Sequence, residues 1–337
     1  MAGYSGAACL ALRAGLASAA TADGVDITRL RQMEFDVTYR TVVHNLPADA
    51  EDFHLWMPLP PADAAQAISK LSVSCTLPHE TTTSETYGNQ IVHVRAASKH
   101  ISADWSLTAR YHVARKQAGS TAQALDAAGA AKYLRYTSRT RMTDEVEAFA
   151  RNAIGDAKQP LEVARRVFEG IIEELSYDKQ IPGCGTGDTQ WIMRHKRGKC
   201  DDYHSLFMAI LISRGIPVRW EQGFPLPAAG GASGQLSGDC SGAHCWVSFH
   251  DRDAGWVPVD VSEADKNPAA RNFFFGKLSP NRFKVSEGRA IALAPKQGGD
   301  LLETFAYAYA EADGIPLIYP ANYENQVQFT ITRVEVA

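Results

Sequence analysis

Between residues 30 and 115, apolar and polar positions alternate in short runs separated by turn residues. The runs are Met33 to Val43, Phe53 to Met57, Leu71 to Leu77, Gln90 to Val94 and Trp105 to Val113. A period of two sends successive side chains to opposite faces, so each run predicts a strand with one buried face. Several such strands at short intervals predict an antiparallel β domain of sandwich type. Residues 116–140 are polar and Ala-rich and predict a linker, helical in part.

From residue 141 the period lengthens. Thr143 can cap a helix running to about Ile154, with Asp144 and Glu145 at its positive end and Gly155 as its stop. Pro160 can start a second, whose Leu161, Ala164, Val167, Phe168, Ile171, Ile172 and Leu175 form one apolar face. Cys200 to Ile212 has helical spacing, and Gly215 with Pro217 ends it. His244 to His250 and Trp256 to Val261 predict two strands around the polar turn Asp251 to Gly255. The mixture makes an α+β chain with a core over residues 141–290. Strands return over 291–337, and Gln326 to Val336 is expected to rejoin the N-terminal sheet.

Three residues in this frame carry chemistry. Cys200 falls in the first turn of its helix, where unpaired amides and the positive dipole end favour a thiolate. Asp201 and Asp202 work partly against this, since negative charge beside sulfur raises its pKa. If the hairpin turn is centred near Arg252, His244 faces Asp260, Trp246 faces Pro258 and Ser248 faces Trp256. Opposed residues have Cβ atoms roughly 5 Å apart, close enough for a carboxylate to orient an imidazole. Cys200, His244 and Asp260 thus fit a nucleophile, its base and an orienting acid.

The segments Gly198-Lys199-Cys200, Gly215-Ile216-Pro217-Val218-Arg219, His244-Cys245-Trp246-Val247 and Gly255-Trp256-Val257-Pro258-Val259-Asp260 resemble the transglutaminase-like core, a branch of the papain-like cysteine enzymes. Gly223 to Pro227, Val261 to Ala264, Phe274 to Leu278 and Tyr309 to Gly314 extend the resemblance to a bacterial subgroup with an added N-terminal β domain. The resemblance covers residues 140–314 well. It implies a papain-like transglutaminase core behind an N-terminal antiparallel β-sandwich-like domain. It also implies Cys200 as nucleophile, His244 as general base and then acid, and Asp260 as the group that fixes the His tautomer. The expected activity is acyl transfer from an amide through a thioester, with hydrolysis ahead of crosslinking. The rivals are an amine-accepting transglutaminase and a non-catalytic binding module on the same core.

Composition narrows the field. Of 337 residues 45% are apolar and the formal net charge is −4, as for an ordinary globular protein long enough for two domains. Without basic runs interleaved with aromatics, nucleic acid is not an expected partner; the expected partner is a peptide or amide substrate, and no cofactor is called for. No apolar stretch approaches the ~20 residues that span a bilayer. Residues 1–25, with Gly15 to Ala22 at their heart, resemble the tail of a secretory signal, so export to the periplasm or beyond is expected, against a cytoplasmic protein with an Ala-rich leader. Export would leave Cys75, Cys184, Cys200, Cys240 and Cys245, the number that one reactive thiol plus up to two disulfides would give. A metal site built from Cys184, Cys240, His244 and Cys245 competes, but lacks a close Cys-x-x-Cys pair, and no metal is the expectation.

Other residues near the triad invite roles. Tyr177, Gln190 and Trp191 precede Cys200 at a distance where papain-like enzymes keep a second oxyanion donor, and Trp191 is the preferred candidate. His204, one turn beyond Cys200, is expected to make a structural contact. Gly183 to Asp188 reads as a loop at the cleft rim, and Ala228 to Asp239 as a flap over it. Asp251, Asp253, Glu263 and Asp265 do not form a dedicated calcium loop.

Overall fold

The computed structural model describes residues 26–47, 49–101, 105–228 and 236–337. The expected leader lies outside the described residues, as does residue 229–235 of the expected flap. The first six strands are β1 (Leu30–Val43), β2 (Asp52–Leu59), β3 (Gln66–Ser74), β4 (His79–Thr83), β5 (Gln90–Ala97) and β6 (Trp105–Lys116). A helical stretch follows: α1 (Ala127–Lys132), α2 (Asp144–Ile154), α3 (Pro160–Glu174), β7 (Ser176–Tyr177), α4 (Thr189–His195), β8 (Arg197–Gly198) and α5 (Cys200–Ser213). Then come β9 (Val218–Pro225), β10 (Ser237–Asp239), β11 (His244–Asp251), β12 (Gly255–Val259), α6 (Val261–Lys266), β13 (Arg282–Glu287), β14 (Tyr309–Ala312), β15 (Ile315–Pro316) and β16 (Tyr323–Val336).

Two antiparallel five-stranded sheets, ordered β10-β16-β1-β6-β3 and β15-β14-β2-β5-β4, share one apolar core. In β1 the buried residues Met33, Phe35, Val37, Tyr39 and Val43 follow the period of two that predicted the strand. Each such side chain contributes on the order of 1.5–3 kcal/mol on leaving water. The last strand closes against the first: β16 pairs with β1 from Val43↔Tyr323 to Leu30↔Val336. Two strands depart from the expected pattern. β3 starts at Gln66 rather than Leu71 and carries a register shift between Ser69 and Ser72. β4, His-Glu-Thr-Thr-Thr, has no apolar alternation because it is an edge strand exposed on most of its length.

The second body is the sheet β12-β11-β9-β13 with helices packed on it. Thr143 caps α2 through its hydroxyl on the Val146 amide, and Pro160 opens α3. Helix α5 is buried from Cys200 to Ile212, which explains an apolar character on all sides rather than along a stripe. The sheet is joined to the sandwich by aromatic packing, with Phe283 on Phe35 (ring centroids 5.7 Å) and Phe224 on Tyr39 (5.8 Å). Among the described residues no helix is long and apolar enough to cross a membrane.

The β11–β12 hairpin corrects the expected register. Asp251 pairs with Gly255, Ser248 with Pro258 and Val247 with Val259, so the turn is centred on Asp253, one residue further than expected. The cause is local: Asp251 Oδ1 accepts the amides of Asp253 and Ala254 at 2.9 Å each, and Gly255 takes a positive φ of 71° that closes a three-residue loop. His244 therefore does not face Asp260 across the ladder. A second correction concerns the flap, whose Ser237–Asp239 end is paired to β16 as β10.

Candidate active site

Cys200 opens α5, and Asp202 fixes the way the chain enters. Asp202 Oδ2 accepts the Lys199 amide at 2.8 Å, while Oδ1 accepts the amides of Thr186 and Gly187 at 2.9 Å. The Gly-rich loop is thereby folded onto the helix start. Gly185 (φ 122°) and Gly198 stand so close to Asp202 that a Cβ on either would fall 2.2 and 2.4 Å from its side chain. Asp201 is neutralised by Arg289, whose Nη1 lies 2.6 Å from Oδ1 and whose Nε reaches Glu303 at 2.9 Å. The two acidic residues that threatened the thiolate are thus committed to a clamp and an ion pair.

His244 begins β11, and Asp260 follows the last residue of β12. The register places them as diagonal rather than opposed neighbours, yet His244 Nε2 lies 2.7 Å from Asp260 Oδ2. Asp260 reaches back because it is also the N-cap of α6: Oδ1 accepts the Glu263 amide at 2.9 Å and the Ser262 hydroxyl at 3.1 Å. One carboxylate oxygen is spent on the helix and the other is aimed at the imidazole. Arg282 Nη1 donates to that second oxygen at 2.6 Å, with its guanidinium 5.0 Å over the Trp246 ring. Arg282 was missed at the level of sequence, where nothing ties an arginine on β13 to the hairpin.

The charges reinforce one another. Burial opposes the imidazolium of His244, but the charge and hydrogen bond of Asp260, with a further bond to Cys200, push its pKa up to about 9. The Cys200 thiol is held well below its ordinary value, first by a hydrogen bond from the Cys184 thiol, then by one from Cys245, and by His244, all against burial. Burial also opposes the Asp260 anion, and His244 and Arg282 outweigh it, holding the carboxyl well below the usual range. With Nε2 given to Asp260, the other ring nitrogen of His244 is the one free for Cys200. The lowered thiol and the raised imidazole, 3% and 5% exposed, thus stand over a fully buried carboxylate.

Other expected roles resolve unequally. His204 does not meet the thiol; its Nδ1 donates to the Cys200 carbonyl at 2.7 Å and its Nε2 accepts the Val261 amide at 3.0 Å, which ties α5 to α6 through a neutral ring. Trp191 stacks on His195 (centroids 4.2 Å), and Gln190 receives Arg141. Tyr177 is the residue of that group near Cys200: burial first, then the charges of Cys200, Glu263, Cys245 and Cys184, raise its pKa. Strand β7 carries it there by pairing Tyr177 with Gly198, two residues before Cys200. Lys266 Nζ sits 4.7 Å over the Tyr177 ring and is paired with Glu263. Tyr307 rims the opposite side, its hydroxyl accepting the Ala243 amide at 2.9 Å.

The competing metal set does not assemble. Cys240 lies in the sandwich core, away from Cys184 and Cys245 near Cys200, and all five described cysteines are free thiols. His244, Asp260 and Glu263 have ligand atoms within 4.8 Å of one another, but Arg282 and Lys266 already occupy those carboxylates.

Residues 147–261 match the model of the transglutaminase-like superfamily. An uncharacterized protein of Haemophilus influenzae is 29% identical over 213 residues, 55% of this chain and 58% of that protein. The uncharacterized protein YebA of Bacillus subtilis is 32% identical over 84 residues, 24% of this chain and 11% of YebA. The chain thus spans under two thirds of either relative. Among solved structures, a candidate cysteine protease from Cytophaga hutchinsonii shares the fold, with a TM-score of 0.52 and 15% identity over 89% of this chain and 98% of that one. The periplasmic domain of TgpA from Pseudomonas aeruginosa gives 0.40 and 14% over 72% of this chain and 92% of that one.

Proposed function

We propose that this transglutaminase-like core is a metal-independent cysteine hydrolase that cleaves an amide bond through a thioester. The observation that carries the reading is the chain Cys200–His244–Asp260, with a lowered thiol, a raised imidazole and a carboxylate 2.7 Å from Nε2. With the proton already on His244, the thiolate attacks the amide carbonyl without a separate deprotonation. The oxyanion forms beside the Cys200 amide, a first-turn N–H with no intrahelical acceptor, and beside the Tyr177 hydroxyl. His244 then protonates the leaving amine, and the neutral ring activates water against the thioester. Asp260 holds the ring in place throughout.

Hydrolysis rather than calcium-gated crosslinking is supported by the acidic residues around the site. Asp251 is used in its turn, Glu263 pairs with Lys266, and Asp265 accepts the Tyr203 hydroxyl at 2.7 Å. These oxygens already have partners within the protein. The test partitions the acyl-enzyme formed from chromogenic peptide amides between water and an added primary amine, with and without chelator. Free acid as the main product, unchanged by chelator, is expected. Mostly amine-coupled product at millimolar amine, or loss of activity to chelator, moves the assignment to a transglutaminase.

A further inference from the structure

Two free thiols flank the nucleophile, and they are not equivalent. Cys245 lies inside β11, completely buried, between β9 and β12, with its sulfur 3.6 Å from His204 Nδ1. Cys184 sits in the loop preceding α4, partly exposed, between the positive-φ glycines Gly183 and Gly185. Its carbonyl accepts the Asp201 amide at 3.0 Å and faces the Cys200 sulfur at 3.7 Å, and its own sulfur contacts the Ala243 carbonyl at 3.4 Å. The Cys200 sulfur thus stands against the loop that carries Cys184, and the two thiols shift each other in opposite senses, Cys184 up and Cys200 down. Nothing in amide cleavage needs this second sulfur.

We propose that Cys184 is a resolving thiol, and that Cys184 and Cys200 form a reversible disulfide when a hydroperoxide oxidises the nucleophile. The proposal rests on the reading of Cys200 as a reactive thiolate. In the first step the thiolate attacks the O–O bond of the peroxide; with one proton taken up, the products are Cys200 sulfenic acid and water or an alcohol. In the second, the Cys184 sulfur loses its proton and attacks the sulfenic sulfur, the S–S bond forms, the S–O bond breaks, and the departing hydroxide takes up that proton and leaves as water. Two thiols and one hydroperoxide thus give one disulfide and two molecules of water, or water and alcohol.

The electrostatics order these steps. In the reduced protein Cys184 stays protonated, chiefly because it hydrogen-bonds to the Cys200 thiolate. Oxidation of Cys200 removes that negative charge and with it the main restraint on Cys184. Cys245 shares the contact but is fixed on both sides by strands, whereas the loop sulfur can turn toward its partner. A disulfide here occupies the nucleophile and spares it from irreversible sulfinic acid.

The test uses the full chain, reduced, desalted and exposed to one equivalent of hydrogen peroxide near pH 7, then mapped as peptides without reduction. A Cys184–Cys200 crosslink is expected, with dithiothreitol restoring iodoacetamide labelling of Cys200. In Cys184→Ser, which keeps a hydrogen-bond donor, excess peroxide (at least two equivalents per thiol) should carry Cys200 on to sulfinic acid that dithiothreitol does not reverse, whereas the wild-type chain under the same excess stays reversible. A Cys200–Cys245 link, or full reversibility in Cys184→Ser, overturns the proposal. Before oxidation, Cys200 should label with iodoacetamide faster than Cys75. Equal rates overturn the thiolate reading itself, whereas fast labelling without a Cys184–Cys200 link overturns only the resolving role.

Discussion

Arg282 Nη1 meets Asp260 Oδ2 at 2.6 Å, on the same oxygen that lies 2.7 Å from His244 Nε2. The carboxylate therefore divides its charge between a permanent cation and a titrating one, and all three groups are buried. Replacing Arg282 by Met should cost roughly 3–5 kcal/mol, because one partner of a buried charged pair is removed. It should also move the alkaline limb of activity to higher pH, since Asp260 then acts on His244 alone. Thermal unfolding and a pH–rate profile on the same preparation check both; an unchanged limb would mean Arg282 has no electrical hold on the dyad.

Asp260→Asn keeps the cap of α6, because Asn serves at an N-cap as well as Asp. It removes the charge that holds the imidazolium and leaves Arg282 buried without a counter-ion. A fall in kcat/KM of roughly 10²–10⁴ is expected. Melting should shift down as well, and a tenfold loss or less would show that another group orients His244.

Cys200→Ala should abolish turnover while the circular dichroism spectrum and cooperative melting persist. Alanine at the first turn of a helix is a good helix former, and the loss of one sulfur costs on the order of 1 kcal/mol. Residual turnover at the wild-type level would end the triad assignment.

Tyr177→Phe removes a single hydroxyl from beside the thiol and leaves the ring under Lys266. If that hydroxyl holds the oxyanion, kcat should fall by about 10²–10³ with little change in KM. A rise in KM at constant kcat would instead assign Tyr177 to substrate binding.

The pH dependence follows from the pair. In the proposed mechanism His244 donates the proton to the leaving amine, and its pKa is raised to about 9. The thiolate is present from well below the ordinary thiol value upward. Activity should be level through neutrality and fall as pH rises through about 9, where the imidazolium loses its proton. A rate that climbs across pH 8 to 9 would mean the thiol still titrates there and no ion pair exists.

Much of the architecture was legible along the chain because it is set by local rules. Alternation marked β1 and β6, where one face is wet and one dry; Thr143 and Pro160 marked helix starts by satisfying or omitting the unpaired amides there. The same logic put Cys200 at the head of α5 and kept His244 and Asp260 on one face of a hairpin, since a register error of two residues preserves the face. Edge strand β4 was illegible because a strand exposed on both faces has no pattern to display.

What only the tertiary structure decided are the contacts between residues far apart in sequence. The turn centre moved to Asp253 through an Asp251 side chain, and Asp260 came to His244 as a helix cap rather than as a ladder partner. Arg282 on Asp260, Arg289 on Asp201 and Tyr177 beside the thiol each arise where separate elements converge on the start of α5. Periodicity records which face of an element is buried, but not which other element buries it. The sequence by itself therefore determined the chemical types present and the faces they occupy. The packing of β13, β7 and the Gly-rich loop around one buried sulfur determined its charge, its proton and its neighbours.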